Sequence, residues 1–211
     1  STLFPYTTLF RSPYSVLDRT LSFDGSLYRI DWTGIQMIVF DSLGIGYFTN
    51  GSEAKSEGIE LSVESTPLPG LTISGWVSWS NAELTEPFPA GASNVGSAGD
   101  RLPYSTRFSG NLSVQKEFPL ASNMTGFVGG AVSYVGDRVG YFRAAPERQE
   151  YPAYTRTDLR AGLKYDSWTV NFFINNATDK RGVLAGGLDA SPTYGFTDRK
   201  STRLNSSHPY R

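Results

Sequence analysis

Six charged side chains have the types and spacing that acid–base chemistry uses. All lie in segments where polar and apolar residues alternate, and they are Glu60, Glu64, Arg107, Asp158, Arg160 and Lys164. Two carboxylates held close together can share a proton and act as an acid–base pair. Charged side chains on neighbouring strands can instead form a row of ion pairs across a sheet, and structural networks of that kind also cluster charge. We favour the second interpretation, a charge ladder on one polar face.

Arginine and tyrosine side chains are concentrated in or beside two long connecting segments. This group comprises Arg101, Tyr104, Arg138, Tyr141, Arg143 and Arg148. Guanidinium groups bind anions through charge and paired hydrogen bonds, and aromatic rings stack on flat or cationic groups. Loops carry binding functions but also tolerate variation, so these residues are either contacts for an anionic ligand or solvated loop residues.

Both ends of the chain resemble translated sequencing adapters. Residues 2–12 read T-L-F-P-Y-T-T-L-F-R-S, and residues 198–208 read D-R-K-S-T-R-L-N-S-S-H. We therefore expect residues 1–12 and 198–211 to be artefacts around a protein body at residues 13–197, with genuine Ser-rich tails as the alternative. The body has 14 Lys and Arg against 19 Asp and Glu, a net charge of −5 compared with −1 for the whole chain. This acidic balance argues against a nucleic-acid partner, which needs a basic surface.

The body lacks the residue types on which many catalytic and metal sites depend. The chain has no cysteine, and its one histidine, His208, lies in the C-terminal flank. Ser-His-Asp triads, Cys-His nucleophiles and zinc sites built from Cys and His therefore have no ligands or bases in the body. We expect a protein that is not an enzyme and holds no cofactor.

Alternation with a period of two predicts an all-β body. The predicted strands cover residues 20–32, 35–40, 46–50, 55–65, 71–82, 107–118, 125–135, 157–165 and 168–176. In the strand at 157–165, for example, Leu159 and Leu163 share one parity, and Arg160 and Lys164 share the other. The longest apolar run, at residues 35–40, is far too short for a membrane-spanning helix.

Three features indicate that the apolar parity faces lipid. The strands reach about ten residues, enough to cross hydrocarbon at a tilt, whereas strands of soluble proteins peak near five or six. Short turns alternate with long loops, as expected when the two rims of a membrane barrel differ. Aromatic residues lie near strand ends and match an interfacial belt: Trp76, Trp79, Phe118, Tyr134, Tyr141, Phe142, Tyr151, Tyr154, Tyr165 and Trp168. The sequence thus predicts an antiparallel transmembrane β-barrel, with a soluble sandwich or ligand-binding barrel as the alternative.

Several segments also resemble a known family. They include Y-R-I-D-W-T-G-I-Q (28–36), N-G-S-E-A-K-S-E-G-I-E-L-S-V (50–63), G-L-T-I-S-G-W-V-S-W-S-N-A (70–82), G-D-R-L-P-Y-S (99–105), V-G-G-A-V-S-Y-V-G-D-R (128–138), Y-T-R-T-D-L-R-A-G (154–162) and N-N-A-T-D-K-R (175–181). In this order they are similar to the barrel of TonB-dependent outer-membrane receptors, over nearly all of residues 13–197. The resemblance implies a barrel of about 22 strands around an N-terminal plug domain. It also implies uptake of ferric siderophores, or less often cobalamin, haem or glycans.

The resemblance implies that only part of such a receptor is present. About nine strands are visible, and the last strand is expected to be missing, because the segment S-P-T-Y-G-F at 191–196 runs into the adapter-like flank. The implied partners are outer-membrane lipid of a Gram-negative bacterium, the receptor's own plug domain, the TonB energy-transducing complex acting through that plug, and a ferric siderophore or similar ligand. The piece itself is not expected to transport. The alternative is a small self-contained barrel, in the outer membrane or soluble, without energy coupling.

Overall fold

The computed structural model describes residues 6–16, 20–92, 95–143, 149–185, 197–198 and 204–207. Every regular element in this part of the chain is a β-strand, so the prediction of an all-β fold is confirmed. The strands are β1 (Tyr6–Val16), β2 (Leu21–Thr33), β3 (Gln36–Phe40), β4 (Gly46–Asn50), β5 (Glu53–Leu68), β6 (Leu71–Leu84), β7 (Phe108–Ala121), β8 (Met124–Val135), β9 (Arg138–Val139), β10 (Glu150–Tyr151), β11 (Tyr154–Tyr165), β12 (Trp168–Ile174), β13 (Val183–Ala185), β14 (Thr197–Asp198) and β15 (Leu204–Ser207).

Nine strands form one antiparallel sheet in the order β1-β2-β5-β6-β7-β8-β11-β12-β15. The sheet is open, because β1 and β15 each pair on one side only. Short turns between β5 and β6, β7 and β8, and β11 and β12 alternate with long connections. One end of the sheet therefore carries the turns (the turn end) and the other carries the loops (the loop end). The alternation of connection lengths predicted from the sequence is therefore present.

Two predicted barrel strands are not part of this sheet. Residues 35–40 and 46–50 form the separate β3–β4 hairpin, which lies within the long connection from β2 to β5. The reason is that β2 pairs directly with β5 from Leu21↔Ser65 to Thr33↔Glu53, which leaves no edge for an inserted strand. The sheet reaches nine strands through β1 and β15, which include residues of the adapter-like flanks. An open edge can pair with almost any extended segment. The pairing of β1 and β15 is therefore compatible with flanks that are artefacts, and that origin of the flanks stays a prediction.

The apolar parity of the sheet is uncovered. Phe23, Leu61, Leu112 and Phe172 lie on this face and expose between 42% and 54% of their surface. A soluble fold would bury such a continuous surface against a second layer. No helix of the described residues is long and apolar enough to cross a membrane.

The main buried cluster lies on the opposite, polar face at the loop end of the sheet. Ala54 and Leu84, which pair across β5 and β6, are 3% and 1% exposed and contact Phe142, which is 9% exposed. Three half-buried residues pack around them: Ile35, Phe88 and Leu102. The long connections therefore fold over the polar face. The apolar parity forms no dry interior among the described residues.

Aromatic residues border the apolar face at both ends. Trp79, Phe108 and Tyr134 lie at the loop end, and Phe118 and Trp168 lie at the turn end. The ten steps from Phe108 to Phe118 rise about 3.4 Å each. At a tilt of 35–45° this gives about 24–28 Å, close to the roughly 25 Å apolar band of outer-membrane barrels.

Five aromatic residues assigned to this belt from the sequence lie elsewhere. Trp76 and Tyr154 are on the polar parity of β6 and β11. Phe142 and Tyr151 are buried among the loops, with 9% and 0% of their surface exposed, and Tyr141 lies among the same loops. Proximity to a strand end did not distinguish the outer face from the loop core.

The N-N-A-T-D-K-R segment forms a tight turn that ends β12. Asn176 is 4% exposed and adopts a positive φ of 54°, and its side chain bonds the backbone of Lys180 at both its oxygen and its nitrogen, at 3.1 and 3.0 Å. The Asn176 amide N–H donates to the Asp158 carboxylate at 2.9 Å. Asparagine suits this position because it tolerates the left-handed region and bonds local backbone.

Replacing Asn176 with alanine is expected to lower the free energy of unfolding by about 1–3 kcal/mol, because buried backbone groups of the turn lose their partner. The change should be measured by urea unfolding in detergent micelles, followed by tryptophan fluorescence. The neighbouring exposed residue provides the control, since Asn175→Ala should have almost no effect. Equal effects of both substitutions would contradict this account of the turn.

The uncovered apolar face and the two open edges predict the behaviour of the chain outside a membrane. Expressed alone in the cytoplasm of a host cell, it should aggregate through edge pairing and apolar contact. Sedimentation and size exclusion would measure this, with recovery in detergent as the comparison. A soluble monomer with sharp thermal unfolding in plain buffer would show that the apolar parity is buried.

Candidate functional site

Two copies of the triplet Gly-Asp-Arg lie in the long loops and meet in space. The first is at residues 99–101, between β6 and β7, and the second is at residues 136–138, which follow β8 and include the first residue of β9. Arg101 Nη1 of the first donates to Asp137 Oδ2 of the second at 2.8 Å, and Arg101 Nη2 donates to the backbone oxygens of Ser105 and Asp137. The Arg101 side chain is only 14% exposed. It therefore fastens two loops that are 36 residues apart in sequence.

The clamp shifts the pKa of one of its own groups, the Asp137 carboxyl. The hydrogen bond from Arg101 holds the pKa of the Asp137 carboxyl below its ordinary value, partial desolvation opposes this shift, and the Arg101 charge adds to it. In the other triplet, the Asp100 side chain is 4% exposed and accepts a hydrogen bond from the Ser97 amide at 3.1 Å. Arg143 Nε lies 3.6 Å from Asp100 Oδ1 while its own side chain stays 75% exposed.

Aromatic rings support the second triplet. Tyr151 is fully buried and stacks on Tyr104, with ring centroids 5.7 Å apart and planes at 22°. The Arg138 guanidinium lies 5.7 Å from the centroid of the Tyr151 ring, and its Nη2 donates to the backbone oxygen of Val183 at 2.7 Å. A hydrogen bond with Tyr151, together with burial, raises the pKa of the Tyr104 hydroxyl. The Tyr104 amide donates to the Val139 oxygen at 2.7 Å, so the loops are joined by backbone as well as side chains.

These loops enclose a cavity of about 510 Å³. Its wall carries four arginines and three carboxylates, with two tyrosines and small backbone segments. The lining residues are Gly99, Asp100, Arg101, Arg107, Asp137, Arg138, Val139, Tyr141, Arg143, Glu150, Tyr151 and Pro152. Within the described residues, no carboxylate lies at ion-pair distance from Arg107 or Arg138. Arg138 donates to the Val183 backbone oxygen, and the charge of Arg107 adds to the lowering of the Asp137 pKa.

The residues singled out as ligand contacts converge here in large part. Arg101, Arg138, Tyr141 and Arg143 line the cavity, and Tyr104 lies behind it against Tyr151. Arg148 lies outside the described residues. Both terminal nitrogens of Arg101 are already engaged in the clamp, so it is a poorer ligand contact than Arg143.

Sequence reasoning missed the acidic part of the site. Asp100, Asp137 and Glu150 share the cavity with the arginines, and buried Tyr151 forms its back wall. The repeated Gly-Asp-Arg triplet was the available signal, because two identical polar turns in successive long loops suggest a shared structural role.

The predicted charge ladder is not continuous. Glu60 and Glu64 lie on β5, whereas Asp158, Arg160 and Lys164 lie on β11, and the sheet order places β6, β7 and β8 between them. Arg107 is not in the ladder but lines the cavity.

The ion pairs that form on this face are local. Lys164 Nζ reaches across β8 to Glu117 Oε1 at 2.7 Å, and Arg156 Nη2 bonds Asp158 Oδ2 at 2.9 Å. Glu60 accepts a hydrogen bond from Ser26 at 3.4 Å. Glu60 and Glu64 are about 13 Å apart along the strand, so they cannot share a proton. The described residues contain no group of three or more His, Cys, Asp or Glu side chains arranged to hold a metal ion.

A second charge cluster lies on the apolar parity, beyond Trp79 at the loop end. Arg29 and Asp31 of β2 meet Lys55 and Glu57 of β5, and Lys55 also pairs with Glu83 of β6 at 3.2 Å. Charged groups on a lipid-facing surface belong outside the hydrocarbon. The cluster therefore marks where the apolar band ends.

The clamp should respond to acid in a defined direction. Because the folded pKa of Asp137 lies below its ordinary value of about 3.9, the stabilisation is complete above that value and is lost as pH falls through the lowered folded pKa. Hydrogen exchange of the Tyr104 amide, corrected for intrinsic rate, should lose protection in acid. Asp137→Asn should reduce protection at neutral pH and remove the acid dependence, and a variant that keeps the wild-type profile would exclude the clamp as its cause.

Comparison with known proteins identifies a matching family and a related receptor. The family described as "TonB dependent receptor-like, beta-barrel" matches residues 10–177. The metal-pseudopaline receptor CntO of Pseudomonas aeruginosa is 30% identical over 146 residues, which are 69% of this chain and 20% of that protein. The chain therefore spans about a fifth of the length of this curated relative.

Solved structures show the same fold. The ferric yersiniabactin uptake receptor FyuA from Yersinia pestis superposes with a TM-score of 0.68 at 16% identity, over 88% of this chain and 26% of its own. The siderophore receptor PiuA from Acinetobacter baumannii superposes with a TM-score of 0.66 at 18% identity, over 96% and 26%. With the outward apolar face, the alternating turns and loops, and the match over residues 10–177, the chain belongs to the TonB-dependent receptor β-barrel family.

Proposed function

We propose that this chain is part of the barrel of an outer-membrane receptor of a Gram-negative bacterium that imports an anionic metal chelate, a ferric siderophore. In this proposal the remaining strands and an N-terminal plug domain lie in other parts of the protein, and the TonB complex supplies energy through the plug. The piece alone does not transport. The observation that carries the proposal is the cavity at the loop end, where four arginines converge and two of them, Arg107 and Arg138, form no ion pair with a carboxylate of the described residues.

The chemistry of the cavity suits such a ligand. Ferric siderophores present carboxylate, phenolate or hydroxamate oxygens around the metal and often carry negative charge. Guanidinium groups bind these oxygens through charge and paired hydrogen bonds, and the ring of Tyr141 offers a stacking surface for a flat chelating group. The cavity volume of about 510 Å³ falls within the range usual for small-molecule sites.

The names of the related proteins support the same ligand class. The relative CntO is a receptor for metal-pseudopaline, and the superposed structures include receptors for ferric yersiniabactin and ferric catecholates. Each of these names gives a complex of a metal with a chelator as the ligand, although the chelators differ. A self-contained barrel without energy coupling is the second candidate, and the match over residues 10–177 favours the receptor.

Removing one arginine from the cavity wall should weaken binding of an anionic chelate. In the purified full-length receptor, Arg138→Gln and Arg143→Gln are each expected to weaken affinity for the iron(III) complex of a tricatecholate about tenfold, the loss of one charge-assisted hydrogen bond. Quenching of intrinsic fluorescence would measure the dissociation constant. The effect should shrink at high salt, because the remaining attraction is screened.

The control removes the same charge from the other face. Arg29→Gln acts on an exposed arginine at the same end of the sheet but outside the cavity, and should leave affinity unchanged. Equal losses in all three variants would indicate a general charge effect and would reject the cavity as the binding site. The genomic reading frame upstream of residue 13 separates the two candidate functions, since a plug domain supports the receptor and an adjacent signal peptide supports a small barrel.

A further inference from the structure

The residues on either side of Phe142 both line the arginine-rich cavity, whereas Phe142 itself does not. Tyr141 and Arg143 are part of the wall, and they are 37% and 75% exposed, the second value for the side chain. Phe142 is 9% exposed and points into the loop core. One buried ring therefore separates two accessible candidate ligand contacts.

The core that holds Phe142 is attached to the sheet. Its partners Ala54 and Leu84 are the paired ends of β5 and β6 on the polar face. The ring of Phe88 meets that of Phe142 edge-on, with centroids 5.1 Å apart and planes at 77°. This arrangement is a favourable geometry for aromatic rings. The loop after β8 is thus fastened to strands that are two and three positions away in the sheet.

The same strand ends also fix the carboxylate that Arg143 approaches. The Leu84 amide donates to the Asp100 backbone oxygen at 2.8 Å, and the Gly99 amide donates to the Leu84 backbone oxygen at 2.8 Å. Leu84 therefore contacts Phe142 through its side chain and holds Asp100 through its backbone. Phe142, the neighbour of Arg143, packs against the Leu84 side chain, and Asp100 is hydrogen-bonded to the Leu84 backbone. A shift of Phe142 would therefore move Arg143 away from Asp100.

We propose that Phe142 is a positioning residue for ligand binding, which holds Tyr141 and Arg143 at the cavity by anchoring their loop to the ends of β5 and β6. The proposal rests on the proposed function, because it concerns the same cavity. It extends the site to a residue that touches no ligand.

The test uses the full-length receptor in detergent micelles, with the iron(III) complex of a tricatecholate as the probe. Phe142→Ala should weaken its dissociation constant by about tenfold, comparable to losing the Arg143 contact. Phe142→Leu retains an apolar side chain in the core and should restore most of the affinity. Phe40→Ala removes an exposed ring from the same end of the sheet, is 47% exposed in the wild type, and should change nothing.

A double variant separates positioning from a general loss of structure. If Phe142 acts through Arg143, the double variant Phe142→Ala, Arg143→Gln should bind no more weakly than Phe142→Ala alone. Additive losses would overturn the proposal, as would wild-type affinity in Phe142→Ala.

A spectroscopic measurement keeps the proposal testable without any ligand. This chain contains no cysteine. With any cysteine elsewhere in the full-length receptor replaced by serine, a spin label on Arg143→Cys reports one position of this segment. Its mobility should increase when Phe142→Ala is added and not when Phe40→Ala is added. If the wild-type receptor fails to bind the probe but the label responds in this way, the proposed ligand class is wrong and the anchoring is right. An unchanged spectrum rejects the anchoring.

Discussion

The structure depends on one constraint, which is that a strand crossing hydrocarbon must satisfy its backbone hydrogen bonds with neighbouring strands while showing lipid an apolar side. Antiparallel pairing from β2 to β12 meets the first requirement. The period of two in the side chains meets the second, because each strand places Leu, Val, Ile and Phe on one face and Ser, Asn, Glu and Lys on the other. The exposed parity, containing residues such as Leu61 and Phe172, would be a liability in water and is the proper surface in a bilayer.

The polar face has a different organisation along its length. Near the short turns it carries isolated groups and local ion pairs, such as Lys164 with Glu117. At the loop end it is covered by a small apolar core around Phe142 and Leu84. Buried apolar side chains are therefore concentrated beneath the loops. The strands are held together by backbone hydrogen bonds to their neighbours. A site built above such a core can keep exposed arginines in place without burying them.

Much of the fold followed from local pattern. The long strands of the sheet from β2 to β12, their parity and the alternation of turns and loops were predicted correctly from the sequence, because each depends on neighbours within about ten residues. The short strands β9, β10 and β13 lie in segments that were predicted to be loops. The β3–β4 hairpin was assigned to the barrel incorrectly, since a short alternating segment has the same pattern in a loop as in a sheet. The charge ladder failed for a related reason, because like parity does not place β5 beside β11.

The sequence by itself determined the secondary structure, the two faces of the sheet, the absence of thiol chemistry and the types of residue available at the loop end. Only the tertiary structure decided that Arg101 meets Asp137, that Arg107 belongs to the cavity, and that Phe142 and Tyr151 are buried instead of interfacial. The physical reason is the sequence separation of the residues that interact. Side-chain parity is set by the geometry of adjacent residues, whereas contacts between loops 36 residues apart arise only after the strands beneath them have paired and brought those loops to one edge.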